Sequence, residues 1–247
     1  MTDWWPSFFA GPGWLRVQQD WDTVEDPEEE ADRVIEALRL SPGARVLDAP
    51  CGAGRLAVAL AARGLVVSGL DREPSLLALA RERAAARGGA LDLIEADLRE
   101  PIDTAPGPFD AVVCTGGSFG YFDEAGNLAQ ARAAAGALRP GGRYLIDTVS
   151  ADTLVAHFSR TARFAVGDTT VEIARRYHPE SGRIDAIWTF ARGDERETHE
   201  TSVRAYSVDE LADLLAAAGF VSFEPRDDAL GAFTPKAERL WMIATRG

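Results

Sequence analysis

The sequence predicts an α/β fold, an open doubly wound sheet of seven strands with an antiparallel β insert after the fifth. Two observations carry this expectation. Between residues 45 and 148, short apolar runs alternate with helical stretches across brief turns. That is the pattern of parallel strands joined by right-handed crossovers. After residue 150, runs of alternating polarity flank Ser181-Gly182 and Gly193-Asp194, which read as hairpin turns.

The elements follow in order. Residues 1–40 are expected to form an aromatic N-terminal segment and a helix that together cover a cleft. The first twenty residues read as turn-rich, with Trp4, Trp5, Phe8, Phe9 and Trp14 set around Pro6, Gly11, Pro12 and Gly13. Asp26 then suits a helix cap, Pro27 a first helical position, and Glu28, Glu29 and Glu30 the positive end of the helix dipole. Ala31, Val34, Ile35 and Leu38 fall on one face of that helix. Residues 41–150 are the core unit, with strands over 45–47, 65–70, 90–94, 109–114 and 143–148. Helices are expected over 55–63, 74–87 and 123–138. Residues 151–206 are the insert, which opens on a short helix and continues as four strands. Residues 207–247 complete the sheet, and Ser207 with Glu210 forms a capping box at the start of their helix.

Composition narrows the function. The chain has 247 residues, of which 46% are hydrophobic and 26% charged, ordinary values for a globular protein. Its 26 basic and 39 acidic residues leave a net charge of −13. So acidic a surface repels phosphate backbones and disfavours a nucleic-acid substrate. No apolar run approaches a membrane span, and the N-terminus lacks the features of a signal peptide. Cys51 and Cys114 make neither a disulfide framework nor a metal site. A soluble, cytoplasmic protein without metal, membrane or nucleic-acid partners is expected; a homodimer is left open.

The chemistry concentrates in Val46-Leu47-Asp48-Ala49-Pro50-Cys51-Gly52-Ala53-Gly54-Arg55-Leu56, a strand ending in an acid, a tight turn of small residues, and a helix start. Gly52 and Gly54 let a ligand approach the backbone, and the helix N-terminus behind them offers free N–H groups. The stretch also fits the G-x-G-x-x-G/A dinucleotide fingerprint. Asp71 ends the second strand, 17 positions after Gly54, where a carboxylate can accept ribose hydroxyl protons. Asp48 at the first strand's tip would repel a pyrophosphate but suits a ligand carrying sulfonium and ammonium groups.

Taken with the following stretches, these residues resemble the class I S-adenosylmethionine-dependent methyltransferases. Val46–Gly54 is similar to the family's first motif and Leu70-Asp71 to its second. Glu95-Ala96-Asp97-Leu98 resembles the third, residues 109–114 the fourth strand, and Leu138-Arg139-Pro140-Gly141-Gly142-Arg143 the turn before the fifth. The resemblance spans roughly residues 30–150 and resumes over 207–247. It implies a Rossmann-like fold and S-adenosylmethionine as cofactor. Asp71 would hold the ribose, and Asp48 would orient the methionyl end. Ala49, Pro50, Gly52, Gly54 and Arg72 would lie against the ligand, while Asp97, Leu98, Thr115 and Gly116 would line its adenine and methyl side. Pro50 departs from the family's usual glycine and withholds an N–H from the loop. Trp14 is expected to touch the ligand from the N-terminal cover.

The acceptor site is expected beyond the strand tips, with Phe119 and Tyr121 as aromatic walls and Arg204 and Tyr206 facing in from the insert. A general base, where one is used, is sought among His157, His199, Tyr121 and Tyr206. The resulting expectation is methyl transfer to nitrogen or oxygen of a small molecule. An NAD-linked oxidoreductase on the same fold and a non-catalytic cofactor-binding protein are the alternatives.

Overall fold

A computed structural model describes residues 3–102 and 108–247. The chain opens with two helices, α1 (Trp5–Phe9) and α2 (Pro12–Asp20), where turns were expected. Pro12 is the first residue of α2 and Pro6 the second of α1, positions where a missing N–H breaks no helical hydrogen bond. Helix α3 (Pro27–Leu38) starts as expected, with the Asp26 side chain accepting the Glu28 N–H.

The core then alternates β1 (Arg45–Asp48), α4 (Arg55–Ala62), β2 (Val66–Asp71), α5 (Pro74–Ala86) and β3 (Asp92–Glu95). It continues through β4 (Phe109–Cys114), α6 (Glu124–Ala137) and β5 (Leu138–Thr148). Next come α7 (Ala151–His157) and the insert strands β6 (Thr161–Val166), β7 (Thr169–His178), β8 (Arg183–Arg192) and β9 (Glu195–Arg204). Helix α8 (Val208–Ala217), β10 (Phe220–Arg226) and β11 (Leu240–Arg246) end the chain. The main sheet has the order β10-β11-β5-β4-β1-β2-β3, and β11 runs antiparallel to both its neighbours. The insert is a separate antiparallel sheet, β6-β7-β8-β9.

Burial explains which helices go where. Ala31, Val34 and Leu38 of α3 pack with Val46, Leu56 and Leu60 on one side of the main sheet, so α3 is core and not cover. Phe8 and Val17 instead join Val171, Ile173 and Phe190 on the inner face of the insert. The close approach needs glycine at position 13, where a Cβ would come within 2.7 Å of the Phe190 ring. The cover over the strand tips is thus one unit built from residues far apart in the chain. No described helix is long and apolar enough to cross a membrane.

Candidate functional site

A cavity of about 280 Å³ opens beyond the C-terminal ends of the parallel strands, close to the lower end of the range for small-molecule sites. Its floor is formed by Asp48, Asp71, Asp97 and Thr115 at or just after four successive strand tips, with Pro50 and Gly52 of the glycine loop between them. Its roof is aromatic, with Trp14 and Trp21 from the N-terminal segment, Tyr121 from the loop after β4, and Trp188 from β8.

Asp71 braces the floor. Its two carboxylate oxygens accept the N–H groups of Gly52 and Glu73, each at 2.9 Å, which ties the glycine loop to the start of α5. Burial outweighs these bonds and pushes its pKa up to about 6. Asp48 is buried as well, and its carboxyl is pushed up by burial and by the nearby Glu30, partly offset by Arg55. It accepts the Ala57 N–H in the first turn of α4. Gly54, at the N-cap, has no side chain to do this. The helix-bracing role and the cleft-facing position therefore coincide in one residue.

Arg99 grips Asp97 with two hydrogen bonds, at 2.9 and 2.7 Å, and holds its carboxyl below the usual carboxylate range. The same guanidinium lies over the rings of Phe122 at 4.6 Å and Trp5 at 5.6 Å, which clamps floor to roof. On the opposite side, Arg239 faces the cavity and binds buried Asp147, which also accepts the Gly116 N–H at 2.9 Å. Buried Glu30 pairs with Arg55 at the start of α4.

Of the expected ligand contacts, Trp14, Asp48, Pro50, Gly52, Asp71, Arg72, Asp97, Leu98, Thr115 and Gly116 all line this cavity. Ala49 and Gly54 do not. Ala49 packs into the core below the loop. Gly54, with φ +72°, sits where a Cβ would come within 2.8 Å of Ala80, so α4–α5 packing requires it.

The expected acceptor residues divide more sharply. Tyr121 lines the cavity, its hydroxyl donating to Ser118 at 3.2 Å, and burial pushes its phenol up. Phe119 is fully buried in the core against Tyr206. Tyr206 is itself buried; it donates to Glu124 and accepts from Asn127, each at 2.9 Å. Arg204 is taken up by Glu124 and Glu210. These three correct the expectation: the loop after β4 turns at Gly120, whose carbonyl accepts the Arg204 N–H, and so carries Phe119 inward. His157 is exposed at the end of α7, away from the cleft. His199 pairs with Glu197 behind the roof and touches Phe8.

Several residues of the site were not expected from the sequence. Arg239 and Asp147 lie 92 positions apart, with no local motif to join them. Arg183 binds the carbonyls of Tyr121 and Phe122 and so fastens the insert to the loop after β4. Arg99 follows Asp97 by two positions, and an acid and an arginine so spaced after a strand were the available signal.

The sheet order and the cleft at its strand tips define a Rossmann-like α/β protein. Residues 46–142 match the family model described as a methyltransferase domain. The ubiquinone biosynthesis O-methyltransferase of Xylella fastidiosa (strain M23) is 35% identical over 119 residues, covering 48% of this chain and 47% of that protein. The chain thus spans about half the length of the curated ubiquinone O-methyltransferases it matches. Among solved structures, an S-adenosylmethionine-dependent methyltransferase from Clostridium acetobutylicum superposes with a TM-score of 0.77 at 18% identity. That alignment covers 90% of this chain and 92% of the other. CalS10, a SAM-bound amino pentose methyltransferase from Micromonospora echinaspora, gives 0.69 at 23%, with the same coverage. At such identities the likeness is one of fold.

Proposed function

We propose that this chain transfers a methyl group from S-adenosylmethionine to a nitrogen or oxygen atom of a small molecule. The observation that carries the reading is the pairing, within one cavity, of a floor of acids and open glycine, Asp48 and Asp71 being buried, with an aromatic roof. The residues present suit the cofactor. A Cβ at Gly52 would meet nothing nearer than Gln18 at 3.9 Å, so the loop leaves room for a ligand against its backbone. The indole N–H groups of Trp5 and Trp14, both in cavity-lining residues, are buried without a hydrogen-bond partner. Such donors suit a ligand that carries acceptors.

When bound, the cofactor supplies an electrophilic methyl group on a sulfonium centre. In this reading the Asp71 oxygens, each with a lone pair beyond the N–H it already accepts, take the ribose hydroxyls. Asp48 faces the cationic methionyl end, while Asp97, fixed by Arg99, and Leu98 border the adenine. Thr115 and Gly116 flank the methyl side, with Gly116 held by Asp147. Trp14 closes the cleft from above. Orientation supplies most of the rate, because an in-line displacement needs no nucleophile from the protein. Tyr121 keeps its proton at neutral pH, so it acts as a hydrogen-bonding wall and not as a base.

Calorimetry with S-adenosylhomocysteine tests this reading directly. Micromolar binding to the wild type that Asp71→Ala weakens by about 100-fold is the expected result. Absence of binding at millimolar ligand rejects it.

A further inference from the structure

We propose that the methyl acceptor is a small aliphatic amine, held as its ammonium in the aromatic upper half of the cleft and methylated on nitrogen. This rests on the methyl-transfer reading above, and three features of the cleft argue for it.

The first is shape. Once the acid-tipped floor is given to the cofactor, the remaining space is walled by Phe9, Trp14, Trp21, Tyr121 and Trp188. Trp14 forms the corner of this box. Trp188 stands at 89° to it with centroids 6.3 Å apart, and Phe9 at 71° and 5.7 Å. Walls meeting near right angles present π faces to a compact cation from several directions. The nearly parallel pair here, Trp188 and Phe190, offers no slot for a flat ring between its faces, because Phe190 is buried in the core.

The second is charge. Each arginine that lines the cavity is already engaged by an acid: Arg55 by Glu25 and Glu30, Arg239 by Asp147, and Arg72 by Asp97 at 3.8 Å. A phenolate or carboxylate acceptor therefore meets no unengaged cation among the described residues. Glu25 is the acid at the box. The Trp21 indole and Arg55 both bind its Oε2, which leaves Oε1 free.

The third is the path of charge in the reaction. Glu25 Oε1 pairs with the bound ammonium, which loses one proton to solvent water before the transfer. The nitrogen lone pair then forms the N–C bond as the C–S bond breaks, with that bond's electron pair going to sulfur. A neutral thioether and a protonated N-methylamine result. Positive charge thus moves from sulfur to nitrogen, and aromatic faces around the nitrogen stabilise it as it develops.

The test uses choline and its neutral isostere 3,3-dimethylbutan-1-ol as probes, with catechol as the flat competitor. Each is titrated into the full chain, empty and loaded with S-adenosylhomocysteine, with tryptophan fluorescence and heat as readouts. Choline is expected to bind about tenfold tighter than the isostere, and Trp188→Leu to remove most of that preference while S-adenosylhomocysteine still binds. Where the leucine variant unfolds, Trp188→Phe is expected to retain the preference, since a ring remains in the wall. Equal binding of choline and isostere, or tighter binding of catechol than of either, overturns the proposal while leaving methyl transfer intact. Failure of S-adenosylhomocysteine to bind overturns the methyl-transfer reading instead, and the choline preference of the empty protein still reports on the box.

Discussion

Floor and roof of the cleft are built on opposite principles. The floor is local: Asp48, Asp71, Asp97 and Thr115 each close a strand or begin the turn after it, and backbone hydrogen bonds brace the three acids. The roof is non-local. Trp14 meets Trp188 across most of the chain, and the Gly13 N–H donates to Glu197 at 2.6 Å to seat α2 on the insert. The floor's geometry is fixed wherever a strand–turn–helix unit forms, whereas the roof exists only after the insert has folded onto the N-terminus. Polar anchoring and apolar enclosure are therefore separable by mutation.

The largest expected effect falls on the roof's own core. Phe190 is fully buried beneath α1 and α2, and Phe190→Ala should lower stability by about 3–5 kcal/mol in urea denaturation. If roof and floor are as separate as described, a partly unfolded intermediate that keeps the main sheet should appear in the same titration. Next comes the floor. Asp71→Ala removes the acceptor of two N–H groups and, in the proposed binding mode, of the ribose, and about a 100-fold loss of S-adenosylhomocysteine affinity is expected by calorimetry.

The pH dependence sharpens the contrast, because the Asp71 titration belongs to the floor alone. Its folded value of about 6 lies above the ordinary 3.8, so between these limits the empty folded protein holds a proton that the unfolded chain has lost. Its contribution to stability therefore falls as pH rises through that window, and a penalty of about 3 kcal/mol stands above pH 6. In the proposed binding mode ligand affinity runs the other way, since the ribose hydroxyls would need the ionised acceptor. Below pH 6, S-adenosylhomocysteine binding is expected to weaken by about tenfold per pH unit. The smallest effect belongs to the exposed tie between α5 and the end of the N-terminal segment, Arg83 with Asp22. Arg83→Ala should change stability by about 1 kcal/mol or less.

The same division explains what could be read in advance. Period and capping signals gave the sheet, its helices and the insert, because each depends on residues a few positions apart. Helices α1 and α2 escaped because Pro6, Gly11, Pro12 and Gly13 resemble turn residues. In the folded chain the prolines start helices, and Gly13 makes room for Phe190. Asp48 and Asp71 were legible as strand-end acids, whereas Asp147 and Arg239 find each other only across antiparallel β5 and the chain leading into β11. Phe119 and Tyr206 were misplaced for a related reason. Proximity to a strand tip in sequence does not say whether a loop turns its side chain toward the cleft or into the core.

The central claim is that a floor of acids, with Asp48 and Asp71 buried, selects a phosphate-free adenosine ligand bearing an ammonium group over a pyrophosphate. The most direct measurement is a paired calorimetric titration of the unmodified chain with S-adenosylhomocysteine and with NADH at pH 7.5, roughly where the Asp71 carboxylate is fully ionised. Micromolar binding of the first and none of the second is expected. Binding of NADH with no heat from S-adenosylhomocysteine would contradict the account.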